Sequence, residues 1–235
     1  MAVNSNSFSV GKRLIAALDV PSGDKAFELA KTIGGDVEMV KIGLELFCAE
    51  GPELVKTFKS KGFRLMLDLK LHDIPATVAR ATSRVAGLGC DFLTIHSSGG
   101  LSMMKEAVAS AGEHMKVLAV TVLTSMDAED LKAIGANAKV ADVVVKRALL
   151  AKEAGCHGVV ASPKEAKIIR EAVGPDMLIV TPGVRPSSGP QGDQKRVTTP
   201  KEALELGADM IVVGRPIRDA PDPKAAAQSI CQQLQ

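Results

Sequence analysis

The chain has 235 residues, 46% of them hydrophobic and 24% charged, which supplies a sizeable core and excludes disorder or low complexity. Lys and Arg number 29 against 27 Asp and Glu, a formal charge of +2 that provides no basic surface for a run of nucleic-acid phosphates. With no Trp, no Tyr and six Phe, the aromatic platforms on which single strands stack are also missing, so no nucleic-acid partner is expected.

Residues 1–12 are polar, contain no apolar leader segment, and read as a flexible tail before a single folded domain over 13–235. No later stretch reaches the roughly 18 apolar residues of a membrane span. The expectation is a soluble, cytoplasmic protein with no membrane partner. The first apolar run, LIAALDV (14–20), precedes an amphipathic segment, DKAFELAKTI (24–33). VEMVKIG (37–43) is followed by the amphipathic PELVKTFKSK (52–61), and then come RLMLDLK (64–70), LGCDFLTIH (88–96) and KVLAVTVL (116–123). The amphipathic VVVKRALLAKEA (143–154) leads into AGCHGVVAS (154–162), and MLIVTPGV (177–184) and LGADMIVVG (206–214) complete the series.

The runs at 88, 154 and 206 match one another: a small or apolar residue, Gly, a short spacer, then an apolar run ending in a polar residue or Gly. This is a helix stopped by a C′ glycine and followed by a strand buried on both faces. Their offsets of 66 and 52 residues are each about twice the roughly 30 residues of a strand-helix unit, so they are every second strand. Eight alternating units predict an α/β fold, a single (β/α)8 TIM barrel. SPKE (162–165) and TPKE (199–202) each place a hydroxyl cap, an N1 proline and an N3 Glu at a helix start. The alternative, an open doubly wound sheet, is disfavoured by the absence of a G-x-G-x-x-G turn after the first strand and of a Walker loop. Cys48, Cys90, Cys156 and Cys231 form no C-x-x-C pair and read as reduced, mostly buried thiols.

Barrel active sites lie at the C-terminal strand ends. Strand one ends in Asp19, strand two carries Lys41, and strand three carries Asp68 and Lys70 with His72 and Asp73 just beyond. His96 closes strand four, Thr121 and Thr124 end strand five, and strands seven and eight run into Pro182-Gly183 and Gly214-Arg215. Asp68 and Lys70, two residues apart, face the same side of a strand, and opposite charges so close keep one another ionised. A lone pair of this kind is ordinarily structural. Two lysines and three aspartates on three adjacent strands are not, because burying so many charges for stability alone is unfavourable.

RPSSGPQGDQKRV (185–197) is longer than a usual βα loop and has the composition of a lid, while VGRPI (213–217) puts a glycine amide and an arginine where barrels bind phosphate. Together they predict a phosphorylated small molecule. His96 is either a general base or a hydrogen-bonded structural residue, and His114 and His157 have no chemical company. Lys41 and Lys70 would repel a divalent cation from Asp19 or Asp68, so no metal is expected.

ALDV (17–20), KIGLELF (41–47), DLKLHDIPAT (68–77), VTVLTS (120–125), TPGVRP (181–186), GDQ (192–194) and VGRPI (213–217) together resemble the orotidine 5'-phosphate decarboxylase family, over essentially the whole chain after about residue 12. D-x-K-x-x-D belongs to a wider suprafamily, whereas DLKLHDIP with a lysine on strand two is specific to the decarboxylases. The resemblance implies conversion of orotidine 5'-monophosphate to uridine 5'-monophosphate and carbon dioxide in de novo pyrimidine synthesis, with neither metal nor organic cofactor. It implies Lys70 as proton donor to C6 of the pyrimidine and Asp68 beside the departing carboxylate. Asp19 and Lys41 would bind the ribose hydroxyls, Lys41 also belonging to the charged network. Thr124 would contact the pyrimidine, with Ile74 and Pro182 among the substrate contacts. Gln194, Arg215 and the amide of Gly214 would hold the phosphate, with Arg185 a further contact on that side. It also implies a homodimer in which Asp73 and Thr77 enter the neighbouring subunit's site.

Other readings remain. Magnesium-dependent sugar-phosphate decarboxylases or aldolases of the suprafamily carry an acidic metal ligand where this chain has Lys41. A Schiff-base aldolase using Lys70 or Lys41 needs a neutral amine, which adjacent aspartates disfavour. A non-catalytic barrel binding a phosphoribosyl ligand would be expected to lose the charge cluster, which is complete here.

Overall fold

A computed structural model describes residues 13–185 and 198–235 of the chain. Eight strands run through them: β1 (Leu14–Ala17), β2 (Met39–Gly43), β3 (Arg64–Leu71), β4 (Phe92–His96), β5 (Lys116–Val120), β6 (Gly158–Val160), β7 (Leu178–Thr181) and β8 (Met210–Val213). Each pairs in parallel with the next and β8 pairs with β1, closing the predicted barrel. The strands are shorter than the apolar runs because Leu18–Val20 and Pro182–Val184 continue beyond the ladder into the rim loops. The tail over 1–12 and the lid over 186–197 lie outside the described residues.

Helices α1 (Gly23–Ile33), α2 (Leu44–Glu50), α3 (Pro52–Ser60), α4 (Pro75–Ala86) and α5 (Gly100–Ser110) follow the first four strands. After β5 come α6 (Ala128–Ala133) and α7 (Val140–Glu153), then α8 (Ala166–Val173), α9 (Pro200–Glu205), α10 (Arg215–Arg218) and α11 (Pro223–Gln232). The period of two along each strand separates two cores. Leu14, Ala16, Val40, Ile42, Leu65 and Leu67 point outward against the helices. Ile15, Met39, Met66, Phe92, Leu118, Leu178 and Met210 fill the barrel interior. Continuing the inward rows by two residues brings Lys41 above Met39, Asp68 above Met66 and Thr94 above Phe92. An apolar floor therefore carries a polar layer at the C-terminal rim.

The three-fold sequence match has a physical basis. Gly89, Gly155 and Gly207 all have positive φ, 80°, 80° and 103°, which only glycine adopts without strain. The residue two places beyond each glycine then stitches its strand to the one before. Asp91 accepts the amide of Leu65 at 2.8 Å, His157 Nδ1 that of Val117 at 3.1 Å, and Asp209 that of Ile179 at 2.7 Å. Lys59 and Arg64 pair with Asp91, and Arg170 with the buried Asp209. Charged residues thus also bind at the N-terminal ends of the strands, and His157, which in sequence has no partner, is a structural acceptor.

Thr199 forms the predicted reciprocal cap, accepting the Glu202 amide at 3.3 Å while the Glu202 carboxylate accepts that of Thr199 at 2.8 Å. Glu165 accepts the Ser162 amide at 3.3 Å, over a single 3-10 turn that precedes α8. The expectation of mostly buried thiols needs correction: Cys90 and Cys156 are buried, Cys231 is half-buried and Cys48 is exposed, because α2 turns its Cys48 side away from the core.

Candidate active site

Three adjacent strands build a row of alternating charge at the rim. Lys41 Nζ lies 3.0 Å from Asp19 Oδ1 and 3.5 Å from Asp68 Oδ2, and Lys70 Nζ lies 2.9 Å from Asp68 Oδ1. The β2–β3 register, which sets Gly43 opposite Asp68, brings these groups together. Burial pushes the Asp68 carboxyl up, but the Lys41 and Lys70 ammonium groups and hydrogen bonds from Lys70 and Thr94 outweigh it and hold Asp68 below the ordinary aspartate value. Each carboxylate faces an ammonium group, an arrangement that repels a divalent cation. Among the described residues there is no cluster of three or more His, Cys, Asp or Glu able to hold a metal.

Asp68 and Lys70 do meet, but not through simple alternation. Four steps along β3, from Leu67 to Leu71, face only two along β4, from Leu93 to Ile95. At this bulge Lys70 has φ 50°, the one positive value for a non-glycine among the described residues. Its amide donates to Thr94 Oγ1 at 2.9 Å, and the Thr94 hydroxyl donates to Asp68 Oδ1 at 2.8 Å. Thr94 is fully buried. Sequence reading passed over it, although its inward parity above Phe92 marks it as a polar residue in the site layer.

The row forms one wall of a cavity of about 520 Å³ that is also lined by Thr124, Pro182, Arg185, Gly214 and Arg215. Arg185 is buried, and its backbone amide donates to the Thr198 carbonyl at 3.0 Å. Arg218, unremarked in the sequence, donates to the Asp19 carbonyl at 2.7 Å and so ties α10 to the loop after β1. Nine of the expected site residues thereby face one cavity: Asp19, Lys41, Asp68, Lys70, Thr124, Pro182, Arg185, Gly214 and Arg215. Asp73, Ile74 and Thr77 do not line it. Asp73 accepts the Ile74 amide at 2.7 Å, Ile74 is 66% exposed, and Thr77 lies 3.5 Å from Arg80 Nη2. Gln194 lies outside the described residues.

His96 also stays out of the cavity lining. Its Nδ1 accepts the Ser98 amide at 3.3 Å, and its ring stacks on that of His72 with centroids 5.5 Å apart. Burial, then the charge of Arg147, His72 and Lys70, pushes it down to about 4. An unfolded histidine takes its proton near 6.5, so between those values the unfolded state binds more protons, and stability falls as pH drops from about 6.5 to about 4. Denaturant midpoints at pH 7 and pH 5 should show this loss in the wild type and a smaller one in His96→Asn. Equal losses would remove His96 from the linkage.

Residues 12–230 match the family model described as "Orotidine 5'-phosphate decarboxylase / HUMPS family". The chain is 51% identical to an orotidine 5'-phosphate decarboxylase of Anaeromyxobacter sp. (strain K), covering 95% of this chain and 98% of that one. It is 48% identical to the enzyme of that name from Thermobifida fusca, covering 94% and 95%. A crystal structure of orotidine 5'-phosphate decarboxylase from Lactobacillus acidophilus superposes with a TM-score of 0.84 at 39% identity, over 95% of this chain and 99% of that one. Identity of this degree along nearly the full length, on the same barrel and with the charged row in place, makes the chain a member of the orotidine 5'-phosphate decarboxylase / HUMPS family.

Proposed function

We propose that this protein decarboxylates orotidine 5'-monophosphate to uridine 5'-monophosphate and carbon dioxide, in de novo pyrimidine synthesis and without metal or organic cofactor. The observation that carries this reading is the Asp19–Lys41–Asp68–Lys70 row at one wall of the cavity. The names of the similar proteins support it. Lys41 stands where the metal-dependent relatives need an acid.

Loss of carbon dioxide breaks the bond between C6 and the carboxylate and leaves the electron pair on C6, in the ring plane, with nothing conjugated to accept it. Lys70 donates a proton from its ammonium group to C6, and the resulting amine recovers one from solvent. Asp68 sits beside the departing carboxylate. Repulsion between two carboxylates about 4 Å apart amounts to roughly 4 kcal/mol at an effective dielectric near 20, whereas enzymes lower barriers by about 8–23 kcal/mol. The larger contribution is the ammonium of Lys70, already aimed at the developing charge before the reaction begins. Asp19 and Lys41 hold the ribose hydroxyls and Thr124 the pyrimidine, with Pro182 beside it. Arg215, the Gly214 amide, Gln194 and Arg185 hold the phosphate.

Asp73 and Thr77 stand outside their own chain's cavity, with Ile74 exposed between them, which supports a homodimer in which they serve the partner's site. Mixing inactive Lys70→Ala and Asp73→Ala proteins should then restore activity, because each hybrid dimer has one intact site. No recovery after proven subunit exchange would place both residues in the same subunit's site. No helix among the described residues is long and apolar enough to cross a membrane.

The test of the reaction is the ultraviolet absorbance change of orotidine 5'-monophosphate with a chelator present. Chelator-resistant turnover is expected. None from a folded wild type would overturn the substrate, and turnover abolished by the chelator would point to the metal-dependent branch.

A further inference from the structure

The bulge in β3 creates a problem that Thr94 solves. Between the pairs Leu67↔Leu93 and Leu71↔Ile95 the β3–β4 ladder has no register, so the Lys70 amide loses its place in the sheet. A half-buried amide without an acceptor is unfavourable. Thr94 Oγ1 accepts it at 2.9 Å. A hydroxyl has one proton, and that of Thr94 goes to Asp68 Oδ1 at 2.8 Å, the same oxygen that Lys70 Nζ reaches at 2.9 Å. The hydrogen bonds close a ring in which the ammonium of one lysine meets a carboxylate directly and its backbone amide is tied to the same carboxylate through one hydroxyl.

We propose that Thr94 is a positioning residue for the decarboxylation: its hydroxyl holds Lys70 in the left-handed backbone region and fixes the Asp68 carboxylate, which together aim the Lys70 ammonium at the reacting carbon. The functional half of this inference rests on the decarboxylase reading above. A buried threonine at the end of a barrel strand can satisfy its hydroxyl on a strand carbonyl, as Thr121, just beyond β5, does on the Val160 carbonyl at 3.2 Å. Thr94 instead bonds to the two residues that the chemistry needs. Packing alone does not call for the hydroxyl, because valine has the same branched shape and the row beneath is apolar.

The experiment compares wild type, Thr94→Val and Thr94→Ser. At saturating orotidine 5'-monophosphate, Thr94→Val should lose turnover on the order of 10²-fold, the loss that follows removal of one preorganised group. KM should change little, since the phosphate contacts lie beyond β7 and β8. Thr94→Ser keeps both hydrogen bonds and should stay within about tenfold of wild type. The acid limb of the turnover profile should move to higher pH in Thr94→Val, where Asp68 has lost a donor, and stay in place in Thr94→Ser. Equal losses in folded Thr94→Val and Thr94→Ser would make Thr94 a packing residue and overturn the proposal.

A crystal structure of Thr94→Val separates this outcome from a failure of the decarboxylase reading, because it needs no substrate. Lys70 should leave the left-handed region and its ammonium should part from Asp68. A retained positive φ at Lys70 overturns the proposal whatever reaction the protein performs. If Thr94→Val does not fold, Thr94→Ala, which lacks the hydroxyl and crowds nothing, takes its place in each measurement.

Discussion

Lys70→Ala should lose turnover by on the order of 10⁴-fold or more, the combined effect of removing a positioned proton donor and the main charge facing the carbanion. The variant also separates two explanations of the rate. Lys70 neutralises Asp68 at 2.9 Å. Without it, Asp68 retains only Lys41, at 3.5 Å, as a cationic neighbour in the row, and its negative charge acts more strongly on a substrate carboxylate beside it. If repulsion were the main source of acceleration, the variant would keep or raise its rate. Single-turnover absorbance measurements on folded protein, shown by calorimetry to bind uridine 5'-monophosphate, decide the matter. A rate within tenfold of wild type would rule out the ammonium as the dominant contribution.

The second large effect is expected from the substrate. Orotidine, which lacks the phosphate, should lose turnover at saturation by about 10²–10⁴-fold in addition to binding more weakly. Hydrogen bonds to a charged group are each worth about 1.5–3 kcal/mol, and two of them account for this range if their energy organises the site. The reason lies in the geometry: Arg215 and Gly214 follow β8, which is hydrogen-bonded to β1, and Arg218 of the same short helix holds the Asp19 carbonyl at 2.7 Å. A grip on the phosphate therefore bears on the first member of the charged row. Arg215→Ala should reproduce the loss with the full substrate and show little further loss with orotidine. Equal turnover of the two substrates by wild type would confine the phosphate contacts to binding.

Much of this was legible in the sequence because the relevant forces are local. Glycines with positive φ, a Thr-Pro-x-Glu helix start and apolar runs on alternate units specify the barrel without reference to distant residues. The charged row was legible for the same reason, since strand ends follow directly from strand positions. What escaped depends on pairing between strands. The bulge at Lys70 is a mismatch of β3 against β4, so parity within β3 could place Lys70 on the correct side but could not reveal its backbone conformation. Thr94 matters only through that mismatch. Asp91, His157 and Asp209 recur within the matched segments, yet their partners belong to the preceding strand. The positions of Asp73 and Thr77 outside the cavity were implied only by resemblance, and that of Ile74, expected as a substrate contact, was not implied at all, because strand and helix periodicity says nothing of which residues stand outside their own chain's cavity.

The order of strands around the barrel divides the labour in a way that invites recombination. Asp19, Lys41, Asp68, Lys70 and Thr94 all belong to the first four strands and the loop after β1, whereas Thr124, Pro182, Arg185, Gly214 and Arg215 follow later ones. One half-barrel carries the charged row, and on the proposed function the other carries the residues that would hold the phosphate. Among the described residues the sheet joins the two halves at two seams, β4 to β5 through Phe92↔Lys116 and β8 to β1 through Leu14↔Ile211. A chimera crossed over between α5 and β5, with both seams matched, would exchange Arg185, Gly214 and Arg215, and with them Thr124 and Pro182, while leaving the charged row intact.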